Sequence, residues 1–296
     1  MPRIFVAAAP FLFVLLWSTG FIGTKTATLN ADPFLYLLVR FAIAAALMAA
    51  LTAVTKSVWA VSRQGTRHAA ISGALLHAGY LGALTYAISL HLPAGVASVL
   101  VGLQPLLTGL LSGPLLGERV TARQWLGLGL GFVGVVLVVL GRPAGAGVFS
   151  AAAIGAAVVA LLCTTFGTLY QKRYGAGMPL LGGTATQYVA STLVIGGVVL
   201  LRGATGHSGT IHWTPAFTFS LAWLVLALSV GAILLLMYLI RELPAARVSS
   251  LMYLVPPLTV LESYVLFGEK LAPLGLAGLL LCVVGVGLAA ARAQKN

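Results

Sequence analysis

Apolar residues run along this chain in long blocks. They show neither the alternation of strands nor the one-sided spacing of a soluble amphipathic helix. Ten blocks separate, over residues 5–26, 33–54, 69–90, 95–115, 121–140, 150–171, 180–201, 216–240, 246–267 and 272–291. Each approaches the ~20 residues that a helix rising 1.5 Å per residue needs to cross a bilayer. The connections are short and most carry Pro, Gly or a charge, the longest being 55–68 and 202–215. The pattern predicts an all-α polytopic membrane protein of ten transmembrane helices, with no separate soluble domain. Arg3 ahead of the first block resembles a signal peptide, but the block is long enough to span and nine follow, so an uncleaved first helix is expected.

Composition closes off other classes. Of 296 residues, 60% are hydrophobic and 7% charged, and mean hydropathy is +1.05. A soluble surface needs about 25% charged residues, so soluble enzymes, secreted disulfide scaffolds and disordered chains are excluded. The net charge of +12 would suit nucleic acid, but its placement points to topology instead. With both termini cytoplasmic, Arg3, Lys56, Arg63, Arg67, Arg119, Arg123, Lys172, Arg173, Arg241, Arg247, Arg292 and Lys295 fall inside. Only Lys25, Arg142, Arg202 and Lys270 fall outside, and Arg40 lies within the second block. That asymmetry follows the positive-inside rule and leaves no charge that calls for a nucleic-acid partner. Cys163 and Cys282 sit inside apolar blocks without metal spacing, which is the pattern of packing residues.

The second half slides onto the first at an offset of 151 residues. Pro93-Ala94 meets Pro244-Ala245, Ser98 meets Ser249, Pro105 meets Pro256, Thr108 meets Thr259 and Ser112 meets Ser263. Gly117-Glu118-Arg119 then meets Gly268-Glu269-Lys270, Gly127 meets Gly278 and Gly134 meets Gly285. The chain therefore divides into two repeats, residues 1–145 and 146–296, of five helices each. Five is odd, so the second repeat must cross the membrane inverted. Inverted repeats are the architecture of transporters that open alternately to either side.

These features resemble a known family. The five-plus-five spans, the Gly-Glu-basic motif after the fourth and ninth spans, Trp17-Ser18-Thr19-Gly20-Phe21 with Lys25, and Val39-Arg40-Phe41 are similar to EamA-type transporters of the drug/metabolite transporter superfamily. Within it the chain most resembles bacterial YddG-type amino acid exporters. The resemblance implies a ten-helix basket in the bacterial inner membrane. Spans one, three, four, six, eight and nine would surround a central cavity, with five and ten peripheral.

Paired breaks at matching positions of inverted halves are the best sequence pointer to a mid-membrane site. Pro105 lies near the middle of the fourth block and Pro256-Pro257 near the middle of the ninth. A helix-interior proline removes a backbone hydrogen bond, so these are candidate hinges, the alternative being static kinks. Trp17, His77, Tyr80, Gln104 and Tyr253 lie near span centres and are candidate substrate contacts. Gln104 and the carbonyls loosened by Pro105 would take polar ends, and Trp17, Tyr80 and Tyr253 would form an apolar wall that also suits organic cations. For each ring the alternative is helix packing, and for His77 a neutral interhelical hydrogen bond.

Intramembrane charges are costly, at ~2.5–3.5 kcal/mol each on insertion scales, and tend to be functional. Arg40 and Glu262 lie at similar depth, about 10 Å below the outer surface at 1.5 Å per residue. Three readings stay open: a pair bracing an outer gate, Glu262 facing the cavity toward a substrate ammonium, or outward snorkelling. No acid lies in the first span and no titratable chain crosses the membrane, so movement down a gradient is as well supported as proton antiport.

Other motifs dissolve on inspection. Gly129-x-Gly131-x-x-Gly134 matches a dinucleotide fingerprint, but it lies within an apolar helix and reads as close packing through Gly127 and Gly131. His207 and His212 lack a third ligand. Glu118 and Glu269 sit at helix connections beside a basic residue. No nucleotide-binding or catalytic constellation is present, so neither a cofactor nor enzymatic activity is expected. The expectation is export of amino acids, aromatic ones favoured, by a monomer. The alternatives are a broad drug or organic-cation exporter, or an integral membrane scaffold or enzyme that transports nothing.

Overall fold

The structure is a computed structural model that describes residues 3–59, 62–116, 121–141, 149–175, 177–233, 235, 239 and 251–290. Two stretches of the repeat alignment, Gly117-Glu118-Arg119 and Pro244 to Ser249, lie outside the described residues. The described residues are helical, apart from short connections and one antiparallel bridge, Ala31 with Ile211.

The helices, in order, are α1 (Arg3–Thr28), α2 (Pro33–Val54), α3 (Arg63–Ser89), α4 (Ala94–Val101), α5 (Gln104–Leu116) and α6 (Ala122–Leu140). Then follow α7 (Ala151–Tyr174), α8 (Leu180–Ala204), α9 (Pro215–Ala232), a 3₁₀ turn (Met252–Leu254), α10 (Val255–Phe267) and α11 (Pro273–Ala290). By length and composition, six described helical stretches can cross a membrane: α2, α3, Ala94–Leu111, α7, α8 and α9. The chain is an all-α polytopic membrane protein. Where both ends of an expected span are described, its boundaries fall within about three residues of those read from hydropathy, except that α3 begins at Arg63, six residues ahead of the expected 69, where Ser62 caps it.

Local sequence signals account for many ends. Asp32 caps α2, accepting from the amides of Phe34 and Leu35, with Pro33 in the first turn. Thr214 caps α9 in the same way, ahead of Pro215. A side-chain acceptor at this position satisfies amides that the helix itself leaves open. At the far end of α10, Gly268 takes the left-handed conformation, φ +67°, which glycine adopts without a steric penalty.

Two compact units can be distinguished, and each draws on both halves of the sequence. The first contains residues up to Ile22, His91–Ile154 and Gly231 onward; the second contains Gly23–Leu90 and Gly155–Val230. In the first unit α6 lies along α11, its counterpart at the 151-residue offset. A Cβ added to Gly134 would stand 2.6 Å from the Gly278 carbonyl oxygen, and one added to Gly285 would stand 2.6 Å from that of Gly127. The two contacts exchange under the offset, since Gly127 corresponds to Gly278 and Gly134 to Gly285. Such reciprocal contacts are the mark of two equivalent surfaces meeting about a two-fold axis. The helices run antiparallel, with Gly141 against Gly275 farther along. Glycine at each crossing lets the backbones approach where hydrophobic burial gives no preference between helix and lipid.

The second unit holds another such pair. Its α2 and α8, again offset counterparts, run antiparallel, with Asp32 against Arg202 and Leu38 beside Gly196. The buried face of α2 is Tyr36, Leu37, Arg40, Phe41, Ala44, Ala45, Met48 and Thr52, a helical stripe along one side.

Candidate functional site

Both candidate hinges fall at breaks in the helical ladder. The fourth span ends as α4 at Val101, turns through Gly102 and Leu103, and restarts as α5 at Gln104, which places Pro105 second in the new helix. The ninth span passes through the 3₁₀ turn Met252–Leu254 and restarts as α10 at Val255, placing Pro256 second. At the 151-residue offset α5 falls on α10 from end to end. Proline is well tolerated in a first turn, where its missing amide has no intrahelical partner to lose. The break in α4–α5 also packs on the opposite proline, since a Cβ on Gly102 would come 2.8 Å from Pro256 Cγ. Pro256 is buried and Pro257 partly so.

Around this break, Gln104 Nε2 donates to Thr108 Oγ1 at 3.1 Å. Trp17 packs its ring on Phe13 at 5.4 Å between centroids and keeps part of its surface accessible. Its neighbour Ser18 is wholly buried, and the Ser18 hydroxyl is shared between the Leu15 carbonyl, 2.9 Å away, and Glu262 Oε1, 2.7 Å away. Glu262 Oε2 is buried with no hydrogen-bond partner. Tyr253 lies in the 3₁₀ turn, and its side chain is outside the described residues. A cavity of about 200 Å³ opens in the same unit beside Pro93, Val96, Val138, Val260 and Leu271; Glu269 and Lys270 of the Gly-Glu-basic motif line it, but none of the candidate substrate contacts or hinges does.

The second unit assembles a different group from Arg40, His77 and Tyr80. The middle of α3, Ala74–Gly79, is wound as a π-helix, which carries His77 and leads directly into Tyr80. A matching π-helix, Leu224–Ala232, follows Pro215–Trp223 in α9 and overlaps the position of the first at the 151-residue offset. Single π turns within α-helices occur often at functional sites. Gly73 lets α3 approach α8, because a Cβ there would stand 2.6 Å from Gln187 Cα, and Ser191 Oγ donates to the Gly73 carbonyl at 3.0 Å. Gly167 and Cys163 on α7 press on Leu76 and Gly79 from another side.

This packing sets His77 parallel to Tyr188, with ring centroids 4.5 Å apart and planes at 18°. Phe41 completes a triangle, 6.3 Å from His77 and 6.0 Å from Tyr188. His77 Nε2 hydrogen-bonds Gln187 Oε1 at 3.2 Å, and Gln187 Nε2 reaches Gln171 Oε1 at 3.4 Å. Arg40 is 6% exposed. Its Nη1 donates to Tyr36 Oη at 3.1 Å, one helical turn earlier, while Nε has no partner. The guanidinium lies within electrostatic reach of His77, Tyr80 and Tyr188.

Tyr36, Gln187 and Tyr188 were not singled out from the sequence, and Phe41 entered only as a member of the Val39-Arg40-Phe41 pattern. Apolar rings within apolar spans carry no local signal, although Gln187 could have been noticed as a polar residue near a span centre. Also unanticipated is the clamp at one end of this unit, where Arg202 Nη1 donates to Asp32 Oδ1 and Oδ2 at 3.0 and 2.8 Å and its guanidinium lies 4.9 Å from the Phe34 ring centre. At the other end Tyr170 Oη hydrogen-bonds His68 Nδ1 at 2.8 Å, and Tyr174 stacks on His68. Among the described residues no three His, Cys, Asp or Glu side chains gather where a metal could bind.

Comparison with known proteins gives this geometry its context. The chain is 28% identical over 300 residues to "Uncharacterized transporter YvbV" of Bacillus subtilis, covering 100% of this chain and 95% of that one. It is 27% identical over 266 residues to "Uncharacterized inner membrane transporter YedA" of Escherichia coli K12, covering 89% and 83%. A "Probable terminal-alkyne amino-acid exporter" of Streptantibioticus cattleyicolor is 30% identical over 201 residues, 67% of this chain and 64% of that protein. One crystal structure shares the fold at TM-score 0.67 and 21% identity, covering 95% of this chain and 94% of its own. The pattern of the EamA-like transporter family matches twice, over residues 4–140 and 151–291. Two matches that together take in nearly every helix described above make this chain a member of the EamA-like transporter family.

Proposed function

We propose that the protein exports amino acids, aromatic ones favoured, and related small metabolites across a bacterial inner membrane. In this reading the two five-helix repeats are inverted, both termini are cytoplasmic, a monomer suffices, and the solute crosses by alternating access. The observation that carries it is the pair of matched breaks, Gly102–Leu103 ahead of Pro105 and Met252–Leu254 ahead of Pro256. A broken helix leaves backbone carbonyls unmatched, which membranes tolerate only against protein or water. Two such points at equivalent places in a duplicated transporter suit joints at which half-helices change angle. The exporter of S. cattleyicolor supports amino acids as the substrate class, and the rings around His77 supply a flat wall for an aromatic side chain.

In this mechanism Pro105, Pro256 and Pro257 serve as hinges. Trp17, Gln104, Tyr253 and Glu262 form one set of substrate contacts, with His77 and Tyr80 another. The purified protein in liposomes should accumulate radiolabelled phenylalanine by counterflow without a pH gradient, and tryptophan should compete better than an organic cation such as tetraphenylphosphonium. A cation that competes better than any amino acid would move the assignment to drug export. Failure of every solute to exchange would favour the non-transporting alternatives. Pro105→Ala and Pro256→Ala should each lower uptake per folded molecule by about tenfold, the scale of a ~1.4 kcal/mol barrier, while folded yield falls less. Unchanged uptake would leave the breaks as static kinks.

A further inference from the structure

Building on the transporter reading, we infer that Arg40 is the carboxylate anchor of the substrate site, so that the protein recognises the acid end of its solute rather than the amino end. Three observations converge. First, Arg40 has no counter-ion in its own unit. The one acid between Gly23 and Leu90 or between Gly155 and Val230 is Asp32, and Asp32 is held by Arg202 through both oxygens. Second, Arg40 is only 6% exposed, yet its guanidinium is incompletely bonded: Nη1 donates to the neutral hydroxyl of Tyr36, and the buried Nε donates to nothing. A buried donor left without an acceptor is destabilising, and an intramembrane cation without a partner more so. Third, the edge carrying Nε presents two parallel N–H groups, from Nε and Nη2, to a planar carboxylate, a pairing for which arginine is suited and lysine is not.

The surroundings fit the rest of such a ligand. His77 and Tyr188 form a stacked pair, and Tyr80 lies one turn beyond His77 with part of its surface accessible. Rings of this kind accommodate an apolar or aromatic side chain. None of them carries a negative charge that would draw an ammonium in the presence of Arg40. The class of ligand is therefore an apolar or aromatic monocarboxylate, with or without an α-amino group.

Competition against phenylalanine uptake tests this directly. The probes are phenylpropionate, which keeps the acid and lacks the amine, and phenethylamine and phenylalaninamide, which lack the acid. The wild type is expected to be inhibited by phenylpropionate about as well as by phenylalanine, and at least about tenfold more weakly by the other two, as loss of a charge-assisted pair implies. Arg40→Gln should abolish that preference and Arg40→Lys should reduce it. Arg202→Gln, which removes a cation already paired, should leave it intact. Folded yield is read by gel filtration and thermal melting. Should Arg40→Gln not fold, the lysine variant and the wild-type probes decide the matter.

Equal inhibition by acid and amide in the wild type overturns the inference, as does a full acid preference in a folded Arg40 variant. Binding of phenylpropionate to detergent-solubilised protein, measured by calorimetry, separates this inference from the reading on which it rests. Binding lost with Arg40→Lys but without uptake of any amino acid would sink amino acid export and leave the anchor. Uptake without acid preference would sink the anchor alone.

Discussion

Asp32 serves two structural ends with one carboxylate. It caps α2 through the amides of Phe34 and Leu35, and it receives Arg202 across the second unit. The two roles can be separated by substitution. Asp32→Asn keeps a capping oxygen and loses the charge, whereas Asp32→Ala loses both. A cap is worth ~0.5–2 kcal/mol, and a partly exposed ion pair such as this one ~0–1 kcal/mol. Asp32→Ala should therefore lower the melting temperature in detergent clearly more than Asp32→Asn or Arg202→Gln. Equal losses in all three would mean that the ion pair dominates. The cap was available from Asp-Pro at the start of an apolar block, but the partner was not, because nothing local joins residues 170 positions apart. Glu262 makes the same point from the other direction. Its rarity as an intramembrane acid drew attention to it in the sequence, while its partner Ser18, 244 positions away, belongs to a type too common to stand out.

Between elements, the glycines of the fifth and tenth spans show how one string can carry different roles. Gly134 meets the Gly278 carbonyl and Cys282, and Gly131 meets Leu103 and Leu106, whereas a Cβ at Gly129 would touch nothing within 4 Å. Gly134→Ala has no flexible neighbour to displace and should destabilise the folded protein, lowering its melting temperature and its yield. Gly129→Ala, in the same helix, should be neutral or stabilising by up to ~1 kcal/mol through helix propensity alone. The opposite order would contradict the α6–α11 packing. Helix number, length and ends were legible here because length and apolarity are summed over some twenty residues. The π-helices were not. A register shift of one hydrogen bond, as at Ala74–Gly79 and Leu224–Ala232, leaves no periodic trace in the sequence.

At the level of the whole molecule, duplication and compactness divide the chain differently. The family pattern falls on 4–140 and 151–291, yet each compact unit takes helices from both halves. Offset counterparts meet within each: α2 with α8, and α6 with α11. Both pairs run antiparallel, which is the arrangement expected of copies that cross a membrane in opposite senses. Side-specific labelling tests that orientation over the full chain. In a background of Cys163→Ala and Cys282→Ala, a cysteine introduced by Arg119→Cys should react with an impermeant maleimide only from the cytoplasmic side. One introduced by Lys270→Cys, its offset counterpart, should react only from outside. Reaction of both from one side would refute the inversion.

The sequence by itself determined the membrane setting, the course of the helices, the duplication and the family, because each is written in composition, period or self-similarity over many residues. It also pointed to Pro105 and Pro256 as breaks, since proline acts on its own backbone wherever it stands. Only the tertiary structure decided which polar groups meet. His77 with Tyr188 and Gln187, and Glu262 with Ser18 join residues far apart in the sequence, and the His77 group rests on the close approach of two helices that Gly73 permits. An isolated side chain shows what it can bond, and the packing of its neighbours selects which bond it makes.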